Sequence, residues 1–245
     1  MPIPRFYCPI PLSVRPQAWL PREAAYHATR VLRLKPGDRV TVFNADEGEF
    51  DASIQSTGKE GVLIDIGAAR AVQRESFLTV DLAQSLCTGE KMDYTLQKSV
   101  ELGVSGIHPV STERSVVRLT GERAQKREEH WRKVVIAACE QCGRNRVPEV
   151  QETSDFPRWL GSGLVHTLRV VLSPTGDETL RDLPRPQGRV LLLAGPEGGF
   201  TATEHAMAEA NGFVSVRLGP RILRTETAAL VALAAMQTLW GDLLS

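Results

Sequence analysis

Residues 189–201, RVLLLAGPEGGFT, and residues 213–226, FVSVRLGPRILRTE, decide the fold of this chain. The run that ends at Ala194 is apolar throughout, the pattern of a strand buried on both faces. Gly195-Pro196-Glu197-Gly198-Gly199 follows as a loop, and Thr201 with Glu204 forms a capping-box pattern that starts a helix. Asn211-Gly212 stops that helix, because either residue tolerates the left-handed backbone that ends one. Residues 213–218 make the next strand, Gly219-Pro220-Arg221-Ile222-Leu223-Arg224 the next loop, and Thr225 is a candidate cap for a long apolar helix over 226–239.

Two successive strands thus each enter a glycine loop and then a helix. In parallel sheets ligands bind outside the carboxyl ends of the strands, where glycine lets backbone groups approach closely. The loops are either such a site or tight α/β turns. A phosphate loop needs Gly-Lys-Ser/Thr after its glycines and a dinucleotide fingerprint needs G-x-G-x-x-G; neither is present, and Glu197 stands where phosphates would be cradled. A polyphosphate would be repelled. A ligand that is cationic at its reactive centre and otherwise polar, such as the sulfonium S-adenosylmethionine, fits better.

The same grammar extends upstream. Residues 168–172 and 77–86 read as strands, Met92, Leu96 and Val100 recur at helical spacing until Gly103, residues 106–110 make a strand, and residues 122–143 a long helix. Alternating strands and helices give an α/β domain with a mainly parallel sheet. Residues 1–70 differ: short strand-like runs at 39–43, 50–55 and 62–66, with a turn at Pro36-Gly37-Asp38, predict a small β-barrel or sandwich. A polar linker over 68–76 divides the chain into domains 1–70 and 71–245. Residues 147–167 carry the weakest pattern, with Trp159, Gly161 and Gly163 marking a short helix and its end.

A chain of 245 residues that is 42% hydrophobic and 24% charged has the composition of a folded domain or pair of domains. It contains neither a signal-peptide pattern nor a run approaching the roughly 20 apolar residues of a membrane span, so a cytoplasmic location without membrane attachment is expected. Cys139 and Cys142 form a lone C-x-x-C with no second pair; they read as small residues on one helix face, and no metal site is expected. The net charge is zero, but Arg5, Arg15, Arg22, Arg30, Arg33, Lys35 and Arg39 face only Glu23 and Asp38 in the first forty residues. A second basic run extends from Arg114 to Arg146. Such segregation is either a basic face for nucleic acid or a solvated surface.

The two glycine blocks also carry a resemblance. Residues 193–200, LAGPEGGF, and 218–228, LGPRILRTETA, resemble the signature of the bacterial 16S ribosomal RNA uridine-N3 methyltransferases, the E-type small-subunit enzymes of the SPOUT superfamily. Residues 98–104, KSVELGV, 112–115, TERS, and 140–144, EQCGR, resemble the same family in the same order; His27, Val31-Leu32-Arg33 and Gly37-Asp38 resemble its N-terminal domain. The resemblance implies a PUA-like β-barrel followed by a SPOUT α/β domain closed by a trefoil knot. It implies S-adenosylmethionine contacts at Leu172, Gly195, Glu197, Gly198, Gly199, Leu218, Gly219, Ile222 and Leu223. It also implies a homodimer acting on 16S ribosomal RNA, in the assembled small subunit.

Uracil N3 lies on the Watson–Crick edge, so the base must leave its stack, and the nitrogen must lose its proton before it can attack. Arg221 and Arg224 are candidates for holding phosphate or the uracil anion and Glu226 for accepting the proton; alternatively the arginine–glutamate pair only fixes the loop. Candidate RNA contacts are Arg5, Arg30, Arg33, Arg114 and Arg144. Thr88 stands where the family often has lysine, which weakens one expected RNA contact, and Cys142 where a small polar residue is usual, a departure of little consequence. The apolar helix after Thr225 suits either a subunit interface or burial within one domain.

Overall fold

The computed structural model describes residues 3–163 and 165–244. The chain forms two compact units, one of Met1–Glu75 with Ile136–Val147 and one of Ser76–Val135 with Pro148–Ser245. The first contains β1 (Arg5–Tyr7), β2 (Gln17–Trp19), α1 (Arg22–Tyr26), a π-helical turn (His27–Val31), β3 (Arg39–Asn44), β4 (Gly48–Gly58) and β5 (Gly61–Arg70). These make a five-stranded sheet in the order β1-β3-β4-β5-β2, with β1 parallel to β3 and the other pairs antiparallel. Val40, Val42, Phe50, Ala52, Ile54, Val62 and Ile64 project from it into one core with Phe6, Leu12 and the alanines of α1. Strand β5 runs through Arg70, so the first residues of the expected linker are strand.

Glu49 explains why residues 136–147 fold with this unit. Its side chain is 1% exposed and receives Arg5, with Arg74 at 3.0 Å and Arg70 at 3.4 Å. Burial alone would raise its pKa, but the hydrogen bonds and charges of Arg5 and Arg74 hold it below the usual carboxylate range. Arg5 also donates to the carbonyls of Gly143 and Arg144 at 3.1 and 3.2 Å, and Arg74 to that of Gly143 at 3.0 Å. These pairings join segments some 70 to 140 residues apart in sequence, beyond the reach of local pattern.

The second unit contains β6 (Val80–Ser85), α2 (Gly89–Glu101), β7 (Gly106–Ser111), most of α3 (Glu122–Cys142), β8 (Glu149–Val150), β9 (Ser154–Asp155), α4 (Phe156–Leu160), β10 (Leu168–Leu172), β11 (Val190–Ala194), α5 (Ala202–Ala210), β12 (Phe213–Val216) and α6 (Thr225–Trp240). The sheet order is β12-β10-β11-β6-β7-β8, with β9 also on β7 and every pair parallel. Val190 to Leu193 are fully buried, each such side chain contributing about 1.5–3 kcal/mol. Helix α5 starts with the capping box of Thr201 and Glu204. Helix α6 buries Ala229, Ala232, Leu233 and Met236 and packs against α2, β11 and β6. No helix among the described residues is long and apolar enough to cross a membrane, and no cluster of metal-ligating side chains occurs among them.

Candidate functional site

Strands β10, β11 and β12 lie side by side and end at Leu172, Ala194 and Val216, so their carboxyl ends open on one spot. A cavity of about 400 Å³ sits there, a usual size for a small-molecule pocket. All nine residues expected at a cofactor line it: Leu172, Gly195, Glu197, Gly198, Gly199, Leu218, Gly219, Ile222 and Leu223. Gly199 and Gly219 adopt φ of +66° and +78°, and a Cβ at either would meet nothing within 4 Å, so bare backbone faces open space. Gly195 lacks a Cβ for a different reason: one there would press on the Phe200 ring at 3.1 Å.

Thr225 is buried and does not cap α6; the N-cap is Arg224, with no side-chain hydrogen bond. The Thr225 hydroxyl instead donates to the Gly195 carbonyl and accepts from Gln84 Nε2 at 3.1 Å. It thereby fastens the second loop to the first and both to β6. Glu197 is held from the opposite side, accepting from the Thr88 amide at 3.3 Å and from Lys91 Nζ at 3.2 Å. Burial works against its ionisation, yet hydrogen bonds from its own amide, Thr88 and Lys91 keep its carboxyl below the usual range. The cavity wall therefore keeps a carboxylate at neutral pH, paired with the Lys91 ammonium that lines the same wall.

Arg221 and Arg224 line the cavity and are exposed, with their guanidinium groups uncommitted. Glu226 is placed differently from expectation. It is not among the lining residues; its Oε2 is buried, accepts no hydrogen bond, and lies 4.0 Å from Lys91 Nζ. The start of α6 turns this oxygen towards Lys91 of α2, which itself lines the cavity. Among the RNA candidates, Arg30 and Arg33 are exposed. Arg5 is spent on Glu49 and the Phe43 ring, and Arg144 on Glu75 at 2.7 Å, so these two are internal struts and poor phosphate contacts. Arg114 donates to the Gly198 and Phe200 carbonyls at 3.1 and 3.4 Å and braces the first loop.

Residues 74–237 match the model of the RNA methyltransferase domain and residues 20–67 that of the RNA methyltransferase PUA domain. The ribosomal RNA small subunit methyltransferase E of Buchnera aphidicola is 35% identical over 98% of both chains, and that of Bacillus subtilis 34% identical over 87% of both. The chain belongs to this methyltransferase E family. Its fold matches that of the Neisseria gonorrhoeae member bound to S-adenosylmethionine, with a TM-score of 0.91, 41% identity and 98% and 99% of the two chains covered. A Legionella pneumophila methyltransferase with bound S-adenosylmethionine matches with a TM-score of 0.94 and 40% identity over 99% of this chain and all of that one.

Within this family fold, Lys91 and Phe200 are wall residues that sequence reasoning missed. Lys91 belongs to the first turn of α2 and meets Glu197 across 106 residues of sequence. Charge complementarity was its only signal, and a single sequence does not say which acid a lysine pairs with.

Proposed function

We propose that the chain is an S-adenosylmethionine-dependent methyltransferase that methylates N3 of a uridine in the 16S ribosomal RNA of the small subunit. The observation that carries this is the cavity at the carboxyl ends of β10, β11 and β12, walled by both glycine loops and edged by Arg221 and Arg224. Its residues fit the cofactor: Gly195, Gly199 and Gly219 offer backbone groups, Leu172, Leu218, Ile222 and Leu223 an apolar wall for adenine, and Glu197 an anion for a cationic ligand. S-adenosylmethionine, when bound, supplies an electrophilic methyl group.

The protein's own part is to accept an unpaired uracil and favour loss of its N3 proton. Arg221 and Arg224 hold the resulting anion electrostatically, and the proton leaves to solvent. Arg30 and Arg33 position the RNA through its phosphates. Exposed Val231, Leu239, Leu243 and Leu244 on and beyond α6 support a homodimer. A trefoil knot is the reading that suits β11 lying between β6 and β10 while α6 returns from edge strand β12 to pack on β11. The enzyme acts in the cytoplasm on the assembled subunit.

The test is transfer of labelled methyl to small subunits, naked 16S RNA and transfer RNA, followed by nucleoside analysis. The expected product is 3-methyluridine, formed best on subunits. Label on carbon or ribose, or on transfer RNA alone, would contradict the reading. Tight ATP binding with no affinity for S-adenosylmethionine or S-adenosylhomocysteine would remove the methyltransferase assignment altogether.

A further inference from the structure

Helix α1 passes without a break into the π-helical turn, so residues 22–31 form one continuous ribbon. Its inner face is alanine only: Ala24, Ala25 and Ala28 are 8%, 8% and 0% exposed, which lets the ribbon lie close on the sheet. Its outer face carries Arg22, Tyr26 and Arg30 at four-residue intervals, the spacing that stacks side chains along one side of a helix. All three are exposed, Tyr26 by 65%, and neither arginine is committed to an ion pair. A tyrosine that is largely solvated between two free guanidiniums adds little to the core beneath it.

The ribbon ends in a second oddity. Arg33 has φ +56° and is the sole non-glycine residue with positive φ among the described residues. The Leu34 amide bonds back to the Ala28 carbonyl at 2.9 Å, closing the turn in the manner that normally calls for glycine at the position of Arg33. A strained arginine kept in place of glycine points to use of its side chain.

We propose that this face is a stacking platform for single-stranded RNA: one unpaired base lies on the Tyr26 ring, and Arg22, Arg30 and Arg33 take the phosphates on either side. Basic groups interleaved with an aromatic face are what single strands recognise, because every base offers a π-face whereas a duplex hides it. The inference rests on the ribosomal RNA reading above and adds to it a specific preference for unpaired segments.

The test is fluorescence anisotropy with a labelled oligouridylate and with a hairpin duplex of equal length, using the full chain. Tyr26→Ala should weaken oligouridylate binding roughly 5- to 150-fold, Tyr26→Phe should stay within about twofold, and duplex binding should change little. Arg22→Gln with Arg30→Gln should reduce the slope of log affinity against log salt by about 1.4. Unchanged affinity for S-adenosylmethionine in each variant shows that the fold is intact. Oligouridylate binding by Tyr26→Ala at the wild-type level, or equal losses on single strand and duplex, would overturn the platform while leaving the RNA reading in place. Loss of small-subunit binding without loss on the oligonucleotide would reassign the face to a ribosomal protein. Wild-type protein that binds neither RNA would overturn the RNA reading itself.

Discussion

Thr225 shows how one hydroxyl can set a site. Thr225→Val keeps the volume but leaves the part-buried Gly195 carbonyl and the buried Gln84 amide without this partner, the latter costing about 1–3 kcal/mol. The expected outcome is a lowered melting temperature together with weaker binding of S-adenosylmethionine by calorimetry; loss of stability with unchanged affinity would separate the two loops functionally. Gly199→Ala must force a side chain into φ +66°, a penalty of about 1–2 kcal/mol, and should weaken the same ligand several-fold. Gly198 acts differently. A Cβ there would meet Arg114 Cβ at 3.2 Å, so Gly198→Val displaces the arginine that braces the loop rather than filling the cavity. Both glycines were legible as loop residues from their motif. Their separate roles were not, because a sequence does not reveal which neighbour a missing side chain would strike.

At the scale of elements, alternation of apolar strands and capped helices was legible: residues 168–172 are β10 as expected, and the capping box of α5 is formed on both sides. Thr201→Ala should therefore destabilise by about 1 kcal/mol, measured by urea unfolding, with the midpoint shifted and the slope unchanged. The elements missed were short ones: β1, β2 and α1 are three to five residues long, too brief for a period to show. Lys91 illustrates coupling between elements. Lys91→Met strips Glu197 of its ammonium partner and leaves the half-buried Glu226 carboxylate beside an apolar chain, so both stability and cofactor affinity should fall. Adding Glu226→Gln should recover part of the stability but not the affinity, a split readable in a double-mutant cycle.

For the whole molecule, buried carboxylates tie acid tolerance to the fold. Asp81, 1% exposed, sits at the start of β6 with His166 at 2.8 Å and Arg189 at 2.5 Å. Burial opposes its charge, but the hydrogen bonds of His166 and Arg189, with their charges, lower its pKa. A carboxyl whose folded pKa lies below its unfolded value stabilises above the unfolded value, about 3.9, and loses that contribution as pH falls towards the folded one. Glu49 acts in the same direction in the first unit. The melting temperature should thus drop below about pH 4, and Asp81→Asn should start lower and fall less steeply over that range. The sequence by itself determined the alternation of the longer strands and helices and the two glycine loops with their acid Glu197, because apolar period, caps and loop chemistry are local. Only the tertiary structure decided that Arg5 and Arg144 are struts, that Thr225 ties the loops together, that Glu226 lies beside Lys91 and that residues 136–147 fold with the first unit. Each of these depends on which distant group a side chain meets, and that is settled by packing, after the chain has come together.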